Sequence, residues 1–293
     1  MVRATVPDLI ASCWTAGGDA DAWGGKTAPP VDLRTRIEAA SRTGWRGFGL
    51  LHADLMQARD TIGYPALRQI LDDNGMIHVE LEYLLDWWET GALRASSDQV
   101  RADLFAAVEP LRPRHIKIGP GVLNAPIETD VLKENWAGLC EEAAAYDIRV
   151  AIESAPYSYL PNVESIVDLV CDVGHPSGGL LIDIWHVFRT GLDYEAMAEI
   201  VPHDRLFAVE VNDAKATVSG SLLEDTINNR ELCGQGDADV PAFIRAIDKI
   251  GFDGPWGVEI ISTAHRARPI GEALEAAYQT TKACFELAKA LSH

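Results

Sequence analysis

The sequence predicts an α/β fold, a single (β/α)8 (TIM) barrel that spans residues 1–293 as one domain. Short runs rich in Val, Ile, Leu and Phe recur along the chain, and each is followed by a stretch with the period of an amphipathic helix. Alternating strands and helices are typical of a parallel sheet. Because eight such units follow one another without a Pro/Gly/Ser-rich linker, a closed barrel is favoured.

Eight apolar runs account for the barrel strands. They are Leu9–Trp14, Gly47–Leu51, Met76–Leu81, His115–Ile118, Arg149–Glu153, Gly179–Ile184, Leu206–Val211 and Trp256–Ile260. Helices are expected near Asp32–Thr43, Tyr64–Asn74, Ser97–Glu109, Asp130–Tyr146, Val163–Asp172, Tyr194–Ile200, Val240–Ile250 and Gly271–Ala290. Asp32 and Ser97 are suited to cap the first and third helices, and Gly44, Gly75 and Gly251 suit the left-handed position after a helix.

A doubly wound sheet is the alternative fold. It would hold a dinucleotide on a G-x-G-x-x-G turn after an early strand. The turn Thr15–Gly18 lacks that pattern and the chain has no P-loop, so the barrel is preferred. The segment Ala16–Pro30, which is rich in glycine and proline, is predicted to form a lid over the barrel mouth.

The net charge of −19 disfavours two classes of partner. An acidic surface repels both the phosphates of nucleic acids and anionic membranes. The five cysteines contain no C-x-x-C pair, which excludes a zinc knuckle or a thioredoxin-like motif. Because the sequence shows no signal-peptide pattern and no long apolar run, a cytoplasmic protein is expected. Its predicted partner is a small sugar-like molecule, and homo-oligomer formation stays open.

Three carboxylates stand where predicted strands end, which is where functional residues gather in a barrel. Glu153, Asp183 and Glu259 follow the apolar runs of strands five, six and eight. A buried strand stabilises a carboxylate only if its charge is paired, hydrogen-bonded or bound to a metal. We therefore predict metal binding or acid–base catalysis. The alternatives are ion pairs with Lys117 or Arg189, or simple exposure at the strand tip.

A site built from carboxylates with at most one histidine favours a hard divalent ion. Mg²⁺ or Mn²⁺ fits such ligands better than a zinc site of Cys and His, and an imidazole ligand would favour Mn²⁺ or Co²⁺. The ion would act as a Lewis acid on the carbonyl of a hydroxy-ketone and stabilise an enediolate. Two flanking carboxylates could then remove and return a proton on carbon.

Five further side chains are candidate substrate contacts. His186, just past strand six, is predicted to donate a hydrogen bond to a substrate oxygen, or else to cap a helix. Lys117 either binds a substrate oxygen or is the counter-ion of the acidic residues, and Glu82 either faces the mouth or forms an ion pair. Trp14, at the end of strand one, is predicted to line the pocket. Arg230 contacts a hydroxyl or an anion, or else faces solvent.

The strand-end motifs resemble those of a known family. The matching segments are Ala151–Glu153, Ile182–His186 with Arg189–Gly191, Gly234–Asp237 and Gly254–Glu259. On these motifs the chain resembles the xylose isomerase-like barrel superfamily of sugar-phosphate isomerases and epimerases, which includes D-tagatose 3-epimerase, hydroxypyruvate isomerase and inosose dehydratase. The resemblance spans nearly the whole chain and implies a ketose or keto-sugar isomerase or epimerase.

The resemblance also implies a divalent metal, with Mn²⁺ expected first and Mg²⁺ or Co²⁺ as alternatives. The family holds it with Glu, Asp, His and Glu on strands five to eight. Glu153, Asp183 and Glu259 match three of these ligands, whereas Glu210 stands where the histidine would fall. In epimerases of this type the glutamates of strands five and eight also shuttle the proton, and this role passes by resemblance to Glu153 and Glu259.

Two other functions stay open. The superfamily includes dehydratases and lyases, among them dehydroshikimate dehydratase and enzymes that cleave 3-keto-glycosides, which share the enolisation step and then expel a β-substituent. The departure at Glu210 also leaves open a barrel that binds a molecule or a partner subunit without catalysis. A DNA-repair barrel like endonuclease IV is not expected, because it would need more strand-end histidines and a basic face.

Overall fold

The computed structural model describes residues 6–22, 25, 28–122 and 127–292. Its eight strands are β1 (Leu9–Ala11), β2 (Gly47–Leu51), β3 (His78–Leu84), β4 (His115–Ile118), β5 (Arg149–Glu153), β6 (Gly178–Asp183), β7 (Leu206–Val211) and β8 (Trp256–Val258). They pair in parallel in the order of the chain, and β8 pairs with β1 to close the barrel. The predicted (β/α)8 barrel is confirmed, and the doubly wound alternative is wrong.

Helices surround this barrel. In the part of the chain that the structure describes they are α1 (Leu33–Thr43), α2 (His52–Thr61), α3 (Tyr64–Asp73), α4 (Gly91–Ala106), α5 (Val108–Leu111), α6 (Thr129–Ala145), α7 (Val163–Val173), α8 (Ile184–Thr190), α9 (Tyr194–Ile200), α10 (Leu222–Asn228), α11 (Val240–Ile250), α12 (Thr263–Arg266) and α13 (Ile270–Ala290), with a 3₁₀ turn at His203–Arg205. None of these helices has both the length and the apolar character needed to cross a membrane.

The helix ends test the predicted caps. Asp32 accepts a hydrogen bond from the backbone N–H of Thr35 at 3.0 Å, so its capping role is confirmed. The prediction for Ser97 is wrong, because α4 begins at Gly91 and the Ser97 hydroxyl donates to the carbonyl of Leu85. No residue of α4 before Ser97 is buried, so the apolar pattern begins too late to reveal its first turns. The three predicted glycines after helices have φ of 70–110°, as expected.

The first and last strands are shorter than predicted. The chain turns after β1, and Trp14 therefore lies in a turn rather than at a strand end. Within this turn the Thr15 hydroxyl donates to the carbonyl of Val258 at 2.7 Å and accepts from the N–H of Ile260 at 2.8 Å. These side-chain hydrogen bonds take the place of further backbone pairing between β1 and β8. The last strand therefore ends at Val258, and Glu259 lies just past it.

Two helices begin where strands end, without an intervening loop. α2 starts at His52 directly after β2, and α8 starts at Ile184 directly after β6. The sequence pattern did not separate them, because each apolar run continues from the strand into the first turn of the helix. Asp183 closes β6 and caps α8, since it accepts a hydrogen bond from the N–H of Trp185 at 2.7 Å. The helix-cap alternative for His186 is therefore wrong.

Glycines make room where strands approach each other closely. A Cβ on Gly257 would lie 2.8 Å from Cγ of Glu210, so the absence of a side chain there leaves space for this glutamate inside the barrel. A Cβ on Gly49 would lie 2.5 Å from the backbone nitrogen of Cys13. The strand glycines therefore allow polar groups and tight turns within a closely packed interior.

The predicted lid lies partly outside the described residues, which omit positions 23, 24, 26 and 27. Of the described part, Ala22 lines the pocket at the barrel mouth. Oδ1 of Asp21 lies 3.5 Å from Nη1 of Arg266, the last residue of α12. These contacts place the segment beside the mouth, while its action as a lid stays a prediction.

Candidate active site

Four carboxylates gather at the end of the barrel where the strands finish. Glu153 ends β5, Asp183 ends β6, Glu210 lies in β7 and Glu259 follows β8, and one oxygen from each lies within 4.8 Å of the others. Backbone pairing sets Asp183 directly beside Glu210 on the neighbouring strand. All four side chains are buried. We call these four residues the acidic cluster.

Arg230 is directed into the acidic cluster. Its Nη1 donates to Oδ2 of Asp183 at 2.6 Å and to Oε2 of Glu259 at 2.8 Å. Its Nε and Nη2 both donate to the hydroxyl of Thr226, at 3.2 and 3.0 Å. Only 3% of the residue is exposed, so the solvent-facing alternative is wrong. Contact with substrate stays a prediction.

Lys117 supplies the second buried cation. Its Nζ donates to Glu210 and, at 3.1 Å, to Oε1 of Glu82. Lys117 is therefore a counter-ion of the acidic residues, and Glu82 forms an ion pair with it. Both residues also line the pocket. Arg189, the other suggested partner of the strand-end acids, instead pairs with Asp225 at 2.6 Å.

One carboxylate oxygen of Glu153 accepts no hydrogen bond from the described residues. Its Oε2 accepts a hydrogen bond from the Tyr83 hydroxyl at 3.3 Å. Its Oε1 lies 3.2 Å from Nε2 of His186, yet this buried oxygen has no hydrogen bond of good geometry among the described residues. His186 lies in α8 and lines the pocket, as predicted for a residue that faces substrate.

The members of the cluster differ in acidity. Burial raises the pKa of Glu259 to about 8, although Arg230 and Lys117 oppose the shift. Burial and the neighbouring Glu259 raise the pKa of Glu210 well above its usual range. Burial would also raise the pKa of Asp183, but Arg230 and several hydrogen bonds outweigh it and lower this pKa. The cluster thus combines an ionised carboxylate with carboxyls that retain a proton more readily.

A cavity of about 280 Å³ borders the acidic cluster. One part of its wall is apolar and is formed by Trp14, Leu51, Leu85, Ile227 and Ile261. The predicted position of Trp14 in the lining is confirmed, even though a turn rather than a strand end places it there. A pocket that joins an apolar wall to convergent polar groups is the usual form of a small-molecule site.

Sequence reasoning missed three residues around the cluster. Tyr83 and Tyr157 line the cavity, and Asn212 donates a hydrogen bond to Oδ1 of Asp183 at 2.9 Å. Strict alternation assigns Tyr83 to the face opposite Glu82, but the register of β3 is irregular near its end, and both residues reach the pocket. The polar character of Asn212 directly after an apolar strand was the signal available for that residue.

A separate carboxylate organises the loop that carries Arg230. Asp213 forms a short bridge with Glu231 through two backbone hydrogen bonds of 3.0 and 2.7 Å. Its side chain accepts four hydrogen bonds of 2.8–3.0 Å from the backbone N–H groups of Ala214, Gly234, Gly236 and Ala238. The Gly234–Asp237 motif is therefore a cradle for Asp213, and the bridge fixes the backbone next to Arg230.

The acidic cluster fits a divalent metal by its donor chemistry. Its ligand atoms are carboxylate oxygens, which suit hard divalent ions, and they converge from four strands. The unpartnered buried Oε1 of Glu153 is an acceptor that a cation would satisfy. Glu153, Asp183, Glu210 and Glu259 are thus the residues that would hold the ion.

A family model described as a xylose isomerase-like TIM barrel matches residues 37–280. The 3-dehydroshikimate dehydratase of Pseudomonas putida is 25% identical over 241 residues, which cover 81% of this chain and 37% of that protein. The inosose isomerase of Bacillus subtilis is 26% identical over 154 residues, or 52% of each chain. This chain therefore spans only part of the length of these curated relatives.

Solved structures share the same architecture. A crystal structure of the IOLI protein, described as having a binding zinc atom, superposes with a TM-score of 0.81 and 17% identity, and the match covers 96% of this chain and 99% of that one. At this level of identity the similarity shows the fold.

Proposed function

This chain belongs to the xylose isomerase-like TIM-barrel family, and on that premise we propose that it is a divalent-metal-dependent isomerase or epimerase of a ketose or keto-sugar. The proposed reaction moves a proton at the carbon next to the keto group. One observation carries the proposal: an oxygen of Glu153 and an oxygen of Glu259 lie within 4.8 Å of each other, and both residues line one pocket. Such a pair can remove a proton and return it.

The chain's own residues divide the work as follows. The carboxylate of Glu153 accepts the proton from carbon, and the hydrogen bond that the Tyr83 hydroxyl donates to its Oε2 orients it. Glu259 holds a proton and delivers it from the carboxyl group to the other side of the reacting centre. His186 donates a hydrogen bond to a substrate oxygen, and the apolar wall excludes water. A bound divalent ion supplies electrophilic polarisation of the keto group.

The metal part of the proposal is tested on protein purified without chelator. We expect one divalent ion per chain by elemental analysis, and Mn²⁺ to raise the melting temperature of stripped protein more than Mg²⁺, because a ligand that binds the native state stabilises it by mass action. Absence of metal, together with no thermal shift on adding Mn²⁺, Mg²⁺ or Co²⁺, would contradict metal dependence.

The reaction is tested by incubating a panel of ketoses, inososes and keto-glycosides with the protein in heavy water. An isomerase or epimerase incorporates deuterium at carbon and conserves the carbon skeleton and its oxygens, so mass spectrometry should record uptake without loss of mass. If no panel member exchanges a proton with the metal-loaded protein, the proposed catalysis is wrong.

A dehydratase is the second candidate. It is favoured by the 241-residue similarity to 3-dehydroshikimate dehydratase, which exceeds the extent of the similarity to inosose isomerase. A dehydratase begins with the same proton removal and then expels a β-hydroxyl, for which Glu259 would serve as the acid. Adding 3-dehydroshikimate to the panel separates the two functions, because loss of water gives an unsaturated product that absorbs ultraviolet light.

A further inference from the structure

One ionisable side chain of the pocket stands apart from the acidic cluster. His52 is the first residue of α2, and it lines the cavity between Leu51 and Ala53. Its Nε2 lies 2.9 Å from Oδ2 of Asp103 on α4. In the described part of the chain Asp103 is the only hydrogen-bonding partner of this imidazole. The pocket therefore contains a histidine–carboxylate pair in addition to the carboxylates that end the strands.

The other partners of Asp103 fix the state of this pair. Its Oδ1 accepts hydrogen bonds from Nη1 of Arg59 at 3.2 Å and from Nε2 of Gln99 at 3.3 Å, which leaves Oδ2 for His52. Because a carboxylate can only accept, Nε2 of His52 carries the hydrogen of their bond, and Nδ1 of the neutral ring is then an acceptor. Nδ1 is thus the ring nitrogen that is available to a ligand.

The start of α2 holds the imidazole in place at the barrel mouth. Asp54, two residues after His52, accepts a hydrogen bond from the N–H of Leu51 at 3.3 Å through Oδ2. Its Oδ1 accepts a hydrogen bond from Arg36, and both Asp54 and Arg36 are buried. A helix start that is fixed by a buried ion pair restricts the backbone of His52. The imidazole is therefore pre-organised from two sides, by α2 and by Asp103.

A second histidine–aspartate pair offers a direct comparison. Nε2 of His78 lies 2.9 Å from Oδ2 of Asp8, so the same atoms meet at the same distance. His78 is the first residue of β3, which places this pair at the amino end of the barrel and outside the pocket lining. Functional groups of such barrels gather at the opposite end. The two pairs therefore share their chemistry and differ in their access to the cavity.

The two reactions named in the proposed function differ in the protons that they move. An epimerisation moves a proton only at carbon, for which Glu153 and Glu259 suffice. An isomerisation exchanges the keto group with the neighbouring hydroxyl, so it must also move a proton from the hydroxyl oxygen to the former keto oxygen. An imidazole with a carboxylate partner suits this second transfer, because it accepts and releases a proton near neutral pH.

We propose that His52, positioned by Asp103, carries the oxygen proton, and that this chain is an isomerase that moves the keto group rather than an epimerase. The inference rests on the proposed function for the transfer at carbon. The cavity of about 280 Å³ is small enough for one monosaccharide-sized ligand to contact both His52 and the acidic cluster. Asp103 stabilises the imidazolium that exists between uptake and release of the proton.

The proton and electron balance of the reaction closes without another reactant. When a carboxylate of the cluster removes the carbon proton, the C–H electron pair forms the enediol double bond and the keto π pair moves to the keto oxygen. Nδ1 of His52 then takes the hydroxyl proton and passes it to that oxygen. The oxygen that lost its proton forms the new carbonyl, while a carboxyl group of the cluster returns a proton to the former keto carbon.

The first test uses Mn²⁺-loaded wild-type protein in heavy water with ketoses and inososes that are isotope-labelled at the keto carbon. Carbon NMR should find the label at a hydroxyl-bearing carbon of the product, together with deuterium on carbon. Deuterium uptake and epimer formation with the label still in the keto group would overturn this inference and leave the proposed function standing. Loss of water would also overturn it, in favour of the dehydratase. Absence of exchange in every ketone would overturn both.

His52→Gln separates the oxygen proton from the carbon proton. Migration of the keto group should fall by about 10²–10⁴-fold relative to deuterium exchange, because the enolate still forms and takes up deuterium at its original carbon. The matched control is His78→Gln, which removes the imidazole of the other pair and should leave this ratio unchanged. A parallel loss of migration and exchange in folded His52→Gln, or an unchanged ratio, would overturn the role of His52.

Asp103→Asn tests the positioning residue. The amide has nearly the size of the carboxylate but does not stabilise an imidazolium, so the ratio of migration to exchange should fall by about tenfold or more. The control is Asp60→Asn, since Asp60 also pairs with Arg59, at 2.8 Å, and has no contact with His52. A change in KM alone, with the ratio unchanged, would overturn the role of Asp103. If a variant does not fold, the position of the label in the wild-type product decides.

Discussion

Asp213 and the acidic cluster lie at the ends of neighbouring strands, yet their charges are stabilised by different partners. Asp213 is surrounded by four backbone N–H groups, which are fixed by the loop that they form. The cluster is balanced by Arg230 and Lys117, two long side chains whose contacts can be exchanged for those of a ligand. The comparison teaches that a buried carboxylate bound by rigid backbone holds structure, whereas one bound by side chains and bordering a cavity is available for chemistry.

The largest effect is expected from the two glutamates of the proposed proton transfer. Glu153→Gln and Glu259→Gln keep the shape of each side chain and remove its ability to take up a proton, so turnover in the heavy-water assay should fall by about 10²–10⁴-fold. Urea unfolding should remain cooperative, because neither carboxylate anchors backbone. Near-normal turnover in both variants would refute the mechanism, whatever the metal content.

Asp213→Ala should instead lower the stability of the fold. It leaves four backbone N–H groups without their acceptor, and we expect the free energy of unfolding to fall by about 2–4 kcal/mol, as measured in urea. Asp204→Ala, at an exposed position, is the matched control and should change it by less than about 0.5 kcal/mol. A loss below about 1 kcal/mol for Asp213→Ala would show that the cradle contributes little.

Glu210 combines a structural and a chemical role, since it is paired with Lys117 and also belongs to the proposed set of metal ligands. Glu210→Ala should weaken Mn²⁺ binding by at least roughly 10–100-fold if this carboxylate is a ligand, since even the loss of a residue that only supports a ligand typically costs that much; competition with a chelating dye measures it. Glu210→His should keep the fold and retain metal binding, because imidazole also binds such ions. Unchanged Mn²⁺ affinity in Glu210→Ala would mean that Glu210 serves only as the partner of Lys117.

The smallest effect is expected at Asp32, a carboxylate that is exposed rather than buried. Asp32→Ala removes the cap of α1 and should lower the free energy of unfolding by about 1 kcal/mol. The hydrogen bonds from Thr35 hold the pKa of Asp32 below its usual value, so this stabilisation is complete above pH 5 or so and is lost as the pH falls through the lowered pKa. The difference between the wild type and the variant in urea titrations should therefore begin to shrink below about pH 4 and continue to shrink as the pH falls through the lowered pKa; a constant difference would contradict the assignment.

Much of the fold could be read from the sequence because a barrel strand leaves a local signal. The apolar runs of β2, β4, β5 and β7 were predicted with the bounds that the structure has. Glu153, Asp183 and Glu259 were found because a charge next to a buried apolar run is unusual. The short helices α2 and α8 left no separate signal, since they continue directly from strands.

The partners of the cluster could not be predicted in the same way. Arg230 reaches Asp183 across 47 positions of the chain, and no local pattern distinguishes it from Arg189, which pairs with Asp225 instead. Tyr83 was missed because the irregular register of β3 breaks the alternation on which the prediction depended. Charge pairing is decided by tertiary distance, whereas strand and helix periods are properties of neighbouring residues.

The Thr15 hydroxyl has a consequence for how the protein is made. Its two hydrogen bonds join positions that are 243 and 245 residues apart, at the seam where the first strand meets the last. Contacts of such large sequence separation form late in folding, because the loop-closure entropy is lost before the contact stabilises the chain. Glu259 lies in this seam, so during synthesis the acidic cluster is completed only after almost the whole barrel has left the ribosome. The fourth carboxylate of the cluster therefore joins the other three only when the last strand pairs with the first.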